Sequence, residues 1–159
     1  MALKDQLAND LKDAMRGGHS VRRDTLRSVI TAVRNAEIAG VDVEREGAGR
    51  TDLTDAQVLD VLQKQAKQRR ESIDEFSKAG RTDLADKESA ELAILETYLP
   101  AQLSRDEIAV EVRAVIAETG ASGPADKNKV MPAAIARMKG RADGRAINEV
   151  VSEQLAALG

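Results

Sequence analysis

The chain of 159 residues contains no cysteine and no tryptophan, and Phe76 and Tyr98 are its only aromatic residues apart from one histidine. The absence of cysteine excludes disulfide bonds, thiolate nucleophiles and thiolate metal sites. With so few aromatic rings, the core must consist of Leu, Val, Ile, Ala and Met, which favour packed helices. The apolar content of 42% is enough to bury a core in one domain or in two small ones.

Long apolar runs are also absent from the chain. No segment approaches the roughly 18 apolar residues of a membrane span, and the opening MALKDQLANDLKDAM lacks the apolar core of a secretion signal. Charged residues make up 32% of the chain and nearly cancel, at a net charge of −3. The total charge therefore indicates no particular class of binding partner. These features predict a cytoplasmic protein that does not enter a membrane.

Apolar residues recur at helical spacing along the chain, and no segment alternates apolar and polar residues over the length of a strand. This pattern predicts an all-α protein. We expect a helical amino-terminal domain of about four helices over residues 1–100 and a three-helix tail domain over residues 101–159. The boundary is placed at Pro100, because proline stops the fourth helix.

Local signals predict where several helices begin and end. Capping-box sequences start at Thr54 and Ser104, each followed three residues later by Gln or Glu. Gly80 and Gly120 follow helical segments and predict their ends, because glycine readily adopts the left-handed conformation. Residues 41–52 carry glycines and charges without periodicity and predict an exposed loop.

Groups that could perform catalysis are scarce. His19 is the only histidine, and its polar surroundings indicate an exposed turn or helix-start residue without a catalytic partner. No phosphate-binding loop, dinucleotide fingerprint or metal-ligand cluster is present. Carboxylates on the third helix are explained by i,i+4 pairs from Lys67 to Glu71 and from Arg70 to Asp74. The sequence predicts no catalytic residue, no cofactor and no metal.

Positive charge is concentrated near the carboxyl end. From Lys127 to Arg145 there are six Lys and Arg residues and one Asp, a net charge of +5. The preceding stretch from Ser104 to Asp126 has two Arg and five acids, a net charge of −3. This asymmetry singles out one predicted anion-binding set. Its members are Lys127, Lys129, Arg137, Lys139, Arg141, Gly144 and Arg145.

Two interpretations of this run stay open. Arg137 and Lys139 lie at a helix carboxyl end, where cations stabilise the helix dipole, so a solvated surface explains them. Arg145 falls in the first turn of the last helix, where an acid is preferred. An anion held by backbone N–H groups beside Gly144 would account for it, although the carboxylate of Asp143 would repel that anion.

The type of nucleic acid that would fit is limited by the lack of aromatic residues. Readers of single strands stack bases on aromatic rings, so contacts with phosphates and with the shape of a folded RNA are expected. Binding of this kind depends strongly on salt. Arg23, Arg27 and Arg34 on the second helix lie close in sequence to Asp24 and Glu37, and we interpret them as a solvated face.

The residues resemble a known family. KVMPAAIARMKGRADGRAINEVVSEQL resembles the tail domain of the B subunit of the tRNA-dependent aspartyl/glutamyl amidotransferase. With VLQKQAKQRRESIDEF, KAGRTDLADKESAELAILETYLP and IAETGA, the whole chain resembles the stand-alone proteins of the GatB/YqeY family. Pro132 departs from the pattern, which has a small residue such as glycine there, and proline removes a backbone donor from the sixth helix.

The resemblance implies an all-helical, tRNA- or RNA-binding accessory module without its own active site. It implies tRNA or another structured RNA as the partner, beside components of the tRNA amidotransferase or of synthetases, and no DNA. The glutamine-dependent carbon–nitrogen ligase label of the family attaches by association only. A protein–protein adaptor that docks through an interdomain apolar groove is the alternative.

Overall fold

The computed structural model describes residues 1–39 and 52–159, and every regular element in this part of the chain is a helix. The predicted all-α class is confirmed. The predicted loop over residues 41–52 lies outside the described residues except for its last position. The elements are α1 (Leu3–Arg16), α2 (Ser20–Ala39), α3 (Asp55–Lys78), α4 (Thr82–Glu96), α5 (Arg105–Thr119), a 3₁₀ helix (Pro124–Asp126), α6 (Lys127–Met138) and α7 (Gly144–Leu158).

The chain forms two compact units, Met1–Leu99 and Pro100–Gly159. In the first unit, α3 packs along α4, α1 packs on α2, and α2 contacts both α3 and α4. In the second unit, α5, α6 and α7 each contact the other two. The predicted assignment of residues 1–100 and 101–159 to two separate domains stays a prediction.

Each unit has its own aliphatic core, as expected from the composition. Phe76 and Tyr98 are only half-buried, so no aromatic ring belongs to either core among the described residues. The first core contains Leu7, Ala14, Leu26, Val29, Val33, Val58, Leu62, Ala66, Leu95 and Leu99. The second contains Ile108, Val112, Val115, Ile116, Val130, Ala134, Met138, Ile147, Val150, Val151 and Leu155.

The predicted helix starts and ends are present. Thr54 Oγ1 accepts from the Gln57 N–H at 3.3 Å, while Gln57 Oε1 accepts from the Thr54 N–H at 2.9 Å. The same reciprocal pair starts α5 at Ser104. Gly80 and Gly120 have φ of 73° and 70°, the left-handed conformation that ends α3 and α5. These capping predictions are confirmed.

Two charged side chains are buried in the first unit. Glu37 is fully buried and accepts from Lys4 Nζ at 2.5 Å, which ties α2 to α1. Arg69 is 8% exposed, and its guanidinium lies 3.3 Å from the Glu91 carboxylate of α4. Both groups are paired because an isolated buried charge is very costly.

Pro132 lies inside α6, and the helix continues through it. The missing N–H leaves the carbonyl four residues earlier, on exposed Asn128, without its usual helical donor. The helix ends at Met138, and Lys139 follows with φ −52° and ψ 125°, which is not helical. Arg137 is therefore presented by the last turn of α6, and Lys139 by the connection that follows it.

Candidate functional site

The connection between α6 and α7, residues 139–143, is held mainly by backbone contacts; we call it the basic turn. Gly140 has a φ of 79°, and the Arg141 N–H donates to the Met138 carbonyl at 2.9 Å. The Gly140 carbonyl accepts from Gln102 Nε2 at 3.1 Å, and the Arg141 carbonyl accepts from the Leu103 N–H at 2.7 Å. The backbone of the turn is thus fixed within the second unit.

The start of α7 is open to an anion. Asp143 is the N-cap residue, but its side chain accepts no hydrogen bond from the first turn of the helix. Gly144 is exposed, and a Cβ placed on it would meet no atom within 4 Å. The first N–H groups of a helix have no intrahelical partner and carry the positive end of the dipole. The Asp143 carboxylate therefore does not occupy the N–H groups that a phosphate would use.

Two cations of the basic turn have no carboxylate partner within 4 Å among the described residues. Lys139 is exposed and makes no ion pair there. Arg141 is half-buried and donates from Nη2 to the Arg137 carbonyl at 3.0 Å, at the carboxyl end of α6. Lys127, in the first turn of α6, also lacks an ion pair in the described part of the chain. In the described residues these three side chains therefore form no ion pair within 4 Å, although Asp143 lies in the basic turn.

Arg137, one of the predicted anion-binding residues, is paired with acids inside the second unit. Its Nε lies 2.5 Å from a Glu111 carboxylate oxygen and its Nη1 lies 2.8 Å from Glu118, both on α5. These two carboxylates raise the pKa of Arg137. The acidic run of α5 and the basic run of α6 meet because the two helices pack side by side. The charge asymmetry along the sequence is therefore partly an interhelical ion pair.

Lys129 and Arg145 are also paired within the second unit. Lys129 lies 3.6 Å from Asp126, whose pKa is lowered first by a hydrogen bond from the Ser122 backbone. Arg145 Nε lies 3.7 Å from Glu149, four residues along α7. The i,i+4 spacing of Arg145 and Glu149 was visible in the sequence and was overlooked.

Taken together, the second unit is electrically balanced. It contains eight Lys and Arg and eight Asp and Glu residues. Lys139, Arg141 and Gly144 lie within six positions of one another in the chain, in the basic turn and at the first residue of α7, whereas Arg137 pairs with acids of α5. This arrangement can hold an oxyanion by backbone N–H groups and nearby cations. It supplies no base beside a nucleophile.

Candidate catalytic and metal-binding groups are scarce in the described residues of both units. His19 is exposed and directly precedes α2, and its ring lies against Gly17, where an added Cβ would come within 2.7 Å of the ring Cδ2. No group of three His, Cys, Asp or Glu is placed to hold a metal ion across residues 1–39 and 52–159. In the same ranges, no helix has both the length and the apolar character that crossing a bilayer requires.

A polar cluster in the first unit was not predicted from the sequence. The Tyr98 hydroxyl donates to Asp10 Oδ2 at 2.5 Å, and Arg22 Nη2 donates to the Tyr98 oxygen at 3.4 Å. Burial, followed by the hydrogen bond to Asp10, raises the pKa of Tyr98. The cluster joins α1, α2 and the segment after α4. No local spacing signals it, because the three residues are far apart in sequence.

Comparison with known proteins gives relatives over much of the chain. Residues 4–155 match the family model described as Yqey-like protein. Altered inheritance of mitochondria protein 41 from Kluyveromyces lactis is 36% identical over 120 residues, 74% of this chain and 60% of the relative. The protein of the same name from Pyrenophora tritici-repentis is 30% identical over 156 residues, 96% of this chain and 80% of the relative.

These relatives bear on localisation and on family. Their names describe them as mitochondrial, which overturns the cytoplasmic localisation predicted from the sequence. The chain spans about three fifths of the length of the first relatives, at 60%, 58% and 63%. The family match covers nearly all of the chain, and its all-helical structure agrees with the resemblance inferred from the motifs. The protein belongs to the YqeY-like family.

Proposed function

We propose that the protein is a non-catalytic RNA-binding accessory module that contacts phosphates of a folded, tRNA-like RNA through the basic turn and the start of α7. The observation that carries this proposal is the open first turn of α7. Its N–H groups are not capped by Asp143, Gly144 leaves space beside them, and Lys139 and Arg141 lie next to them in the chain. A phosphate oxygen is the ligand that such a group of donors binds.

We propose tRNA as the ligand because the second unit resembles the tail of the amidotransferase B subunit, and that tail contacts tRNA. Arg145 belongs to the proposed site with a weaker role, since Glu149 lies 3.7 Å from it and a phosphate has to compete with that carboxylate. Arg137 and Lys129 contribute less than the sequence suggested, because acids already neutralise them. A link to glutamine-dependent carbon–nitrogen ligation rests on the resemblance alone.

The mode of binding follows from what surrounds the turn. The only Phe and Tyr residues, Phe76 and Tyr98, belong to the first unit, so the second unit itself offers no Phe or Tyr ring on which a base could stack. Contact with phosphates positions an RNA without reading its sequence. We therefore expect recognition of shape, with an affinity that falls steeply as salt rises.

Fluorescence anisotropy with bulk tRNA and with mitochondrial tRNA at two salt concentrations tests the proposal. The triple variant Lys139→Glu, Arg141→Glu, Arg145→Glu should bind at least about tenfold more weakly at low salt, because each lost phosphate contact removes released counterions. A matched control, Lys12→Glu, Lys64→Glu, Lys67→Glu, changes the same charge at exposed positions of the first unit. Equal affinity of the wild type and the triple turn variant would refute the proposal.

A protein–protein adaptor is the competing function. It would be supported by a stoichiometric protein partner that co-purifies after nuclease treatment and is retained by the triple turn variant. Release of ammonia from glutamine by the pure protein would instead indicate an amidotransferase. We favour RNA binding over both functions, because no group of side chains in the described residues supports either of them.

A further inference from the structure

A second basic surface runs along α2 in the first unit. Arg23, Arg27 and Arg34, which we call the α2 ridge, are spaced by four and seven residues and so lie on one side of the helix. Arg27 and Arg34 are exposed, and Arg23 is half-buried. The ridge spans roughly 16 Å at 1.5 Å per residue. It presents three guanidinium groups in a row on a rigid element.

Glu37, the acid near the carboxyl end of this ridge, is turned inward. Glu37 is fully buried and accepts from Lys4 Nζ at 2.5 Å, so its carboxylate does not face the same solvent as Arg34. Arg34 does line a small apolar cavity together with Asp5 of α1. No carboxylate of the described residues, Asp5 included, lies within 4 Å of the Arg34 side chain.

Asp24 is the other acid near the ridge. Asp24 accepts from Arg23 Nε at 2.9 Å. Its pKa is lowered first by that hydrogen bond and then also by the charges of Arg27 and of Lys87 on α4. Arg27 itself makes only a 3.9 Å contact with the Met15 sulfur, which is a weak acceptor. Arg23, Arg27 and Lys87 thus all favour the charged form of Asp24, and among them only Arg23 forms an ion pair with it in the described residues.

Ile30, which lies between Arg27 and Arg34 on the same side of α2, is half-buried against the first core, and the exposed residues beside the arginines are polar. Ser20 and Thr31, one turn from Arg23 and Arg27 respectively, are exposed on the same side of the helix. Ile38, 61% exposed, is the first exposed large apolar residue on this side and lies beyond Arg34. A helix that binds a lipid surface inserts an apolar face, but the apolar face of α2 is packed into the core. Guanidinium and hydroxyl groups in a row are instead typical of contacts with a phosphodiester backbone.

We propose that the α2 ridge binds the phosphodiester backbone of RNA, as a contact surface separate from the basic turn. The inference rests on the proposed function in one respect, that RNA is the ligand. A nucleic-acid strand carries one phosphate per roughly 3.4 Å along a duplex axis, so a ridge of this length reaches several phosphates. The ridge reads charge and spacing and is not expected to distinguish bases.

The test compares tRNA binding of the wild type, the ridge variant Arg27→Gln, Arg34→Gln and the triple turn variant. Neither Arg27 nor Arg34 pairs with a carboxylate in the described residues, so the ridge variant should fold normally, which circular dichroism and thermal unfolding check. Its affinity at low salt should fall roughly tenfold, and the slope of log K against log salt should decrease by about 2. Lys64→Gln, Lys67→Gln on exposed positions of α3 is the charge-matched control and should leave both values unchanged.

The outcomes separate the ridge from the basic turn. If the ridge variant binds tRNA with wild-type affinity and the turn variant does not, the ridge is not an RNA contact and the proposed function stands. If only the ridge variant loses affinity for tRNA, the ridge is supported as an RNA contact and the basic turn is refuted as one. Should the ridge variant be unstable, Arg27→Lys, Arg34→Lys keeps the charge and should retain most of the binding, and a full loss there overturns the ridge.

Two further outcomes concern the ligand. A wild-type protein that does not bind tRNA at low salt overturns both proposals. Phosphatidylcholine vesicles containing phosphatidylserine provide the lipid control. If they retain the wild type but not the ridge variant while tRNA binds neither, the ridge is a lipid-binding surface and the RNA inference is wrong.

Discussion

Tyr98 is a single residue that links α1, α2 and the segment after α4 in the first unit. Its ring is half-buried beside the core, and its hydroxyl donates to Asp10 of α1 while accepting from Arg22 of α2. A hydroxyl in this position holds two helices to the segment after α4. Its removal leaves Asp10 and Arg22 at a longer mutual contact of 3.7 Å.

The variant Tyr98→Phe should lower the free energy of unfolding by about 1 to 2 kcal/mol, since a charged acceptor loses its donor. The loss should shrink above pH 10. Burial and Asp10 raise the pKa of Tyr98 above its ordinary value of 10.0. The unfolded chain then releases the tyrosine proton first, so this stabilisation is complete below pH 10 and decreases as pH rises. Urea unfolding of both proteins at pH 8 and pH 10.5 measures the difference; a gap that is constant with pH would contradict it.

Among the secondary-structure elements, α6 is tied to α5 by the ion pairs of Arg137. The guanidinium bridges Glu111 and Glu118, which lie two turns apart on α5. Such a bridge fixes how α6 lies along α5, in addition to the contacts of their apolar faces. Arg137 is therefore a residue that holds helices together, whatever the ligand of the basic turn.

The substitution Arg137→Gln should lower the thermal midpoint by roughly 2 to 4 °C, as expected for exposed ion pairs, and should change tRNA affinity by no more than about twofold. Thermal unfolding and anisotropy are measured on the same sample. The contrast with Arg141→Gln, which should weaken tRNA binding without a comparable loss of stability, separates the two roles. A large loss of RNA affinity in Arg137→Gln would show that its ion pairs open to a phosphate.

At the scale of the whole molecule, the chain consists of two compact units with separate aliphatic cores. The second unit has 60 residues and a balanced charge, so neither size nor self-repulsion prevents it from folding alone. A domain of this size buries only about 60% of the surface of its unfolded chain and is marginally stable.

A fragment of residues 100–159 should therefore fold with a free energy of unfolding of about 3 to 5 kcal/mol. Urea unfolding followed by circular dichroism should show one cooperative transition. The full chain should then show a transition of the same midpoint together with that of the first unit. A fragment without a cooperative transition would mean that this unit needs the rest of the chain.

Some of these features were predictable from single stretches of sequence. The capping boxes at Thr54 and Ser104 and the left-handed glycines operate within a few residues, and all were confirmed. The i,i+4 pair of Arg145 and Glu149 was equally local and was missed. Arg70 shows the limit of such rules, because its guanidinium lies 3.5 Å from Glu96 of α4, a partner that no spacing within α3 indicates.

The pattern of amino acids is enough to predict the helical class, the limits of most helices and the aliphatic nature of the cores. Helix formation and capping depend on neighbours within about four residues. Which charges face solvent depends instead on how the helices pack. Arg137 is bridged by two glutamates of another helix, and Glu37 is buried beside Lys4. The charge left at the basic turn and on the α2 ridge depends on which helix faces meet, because an ion pair between helices requires proximity in space.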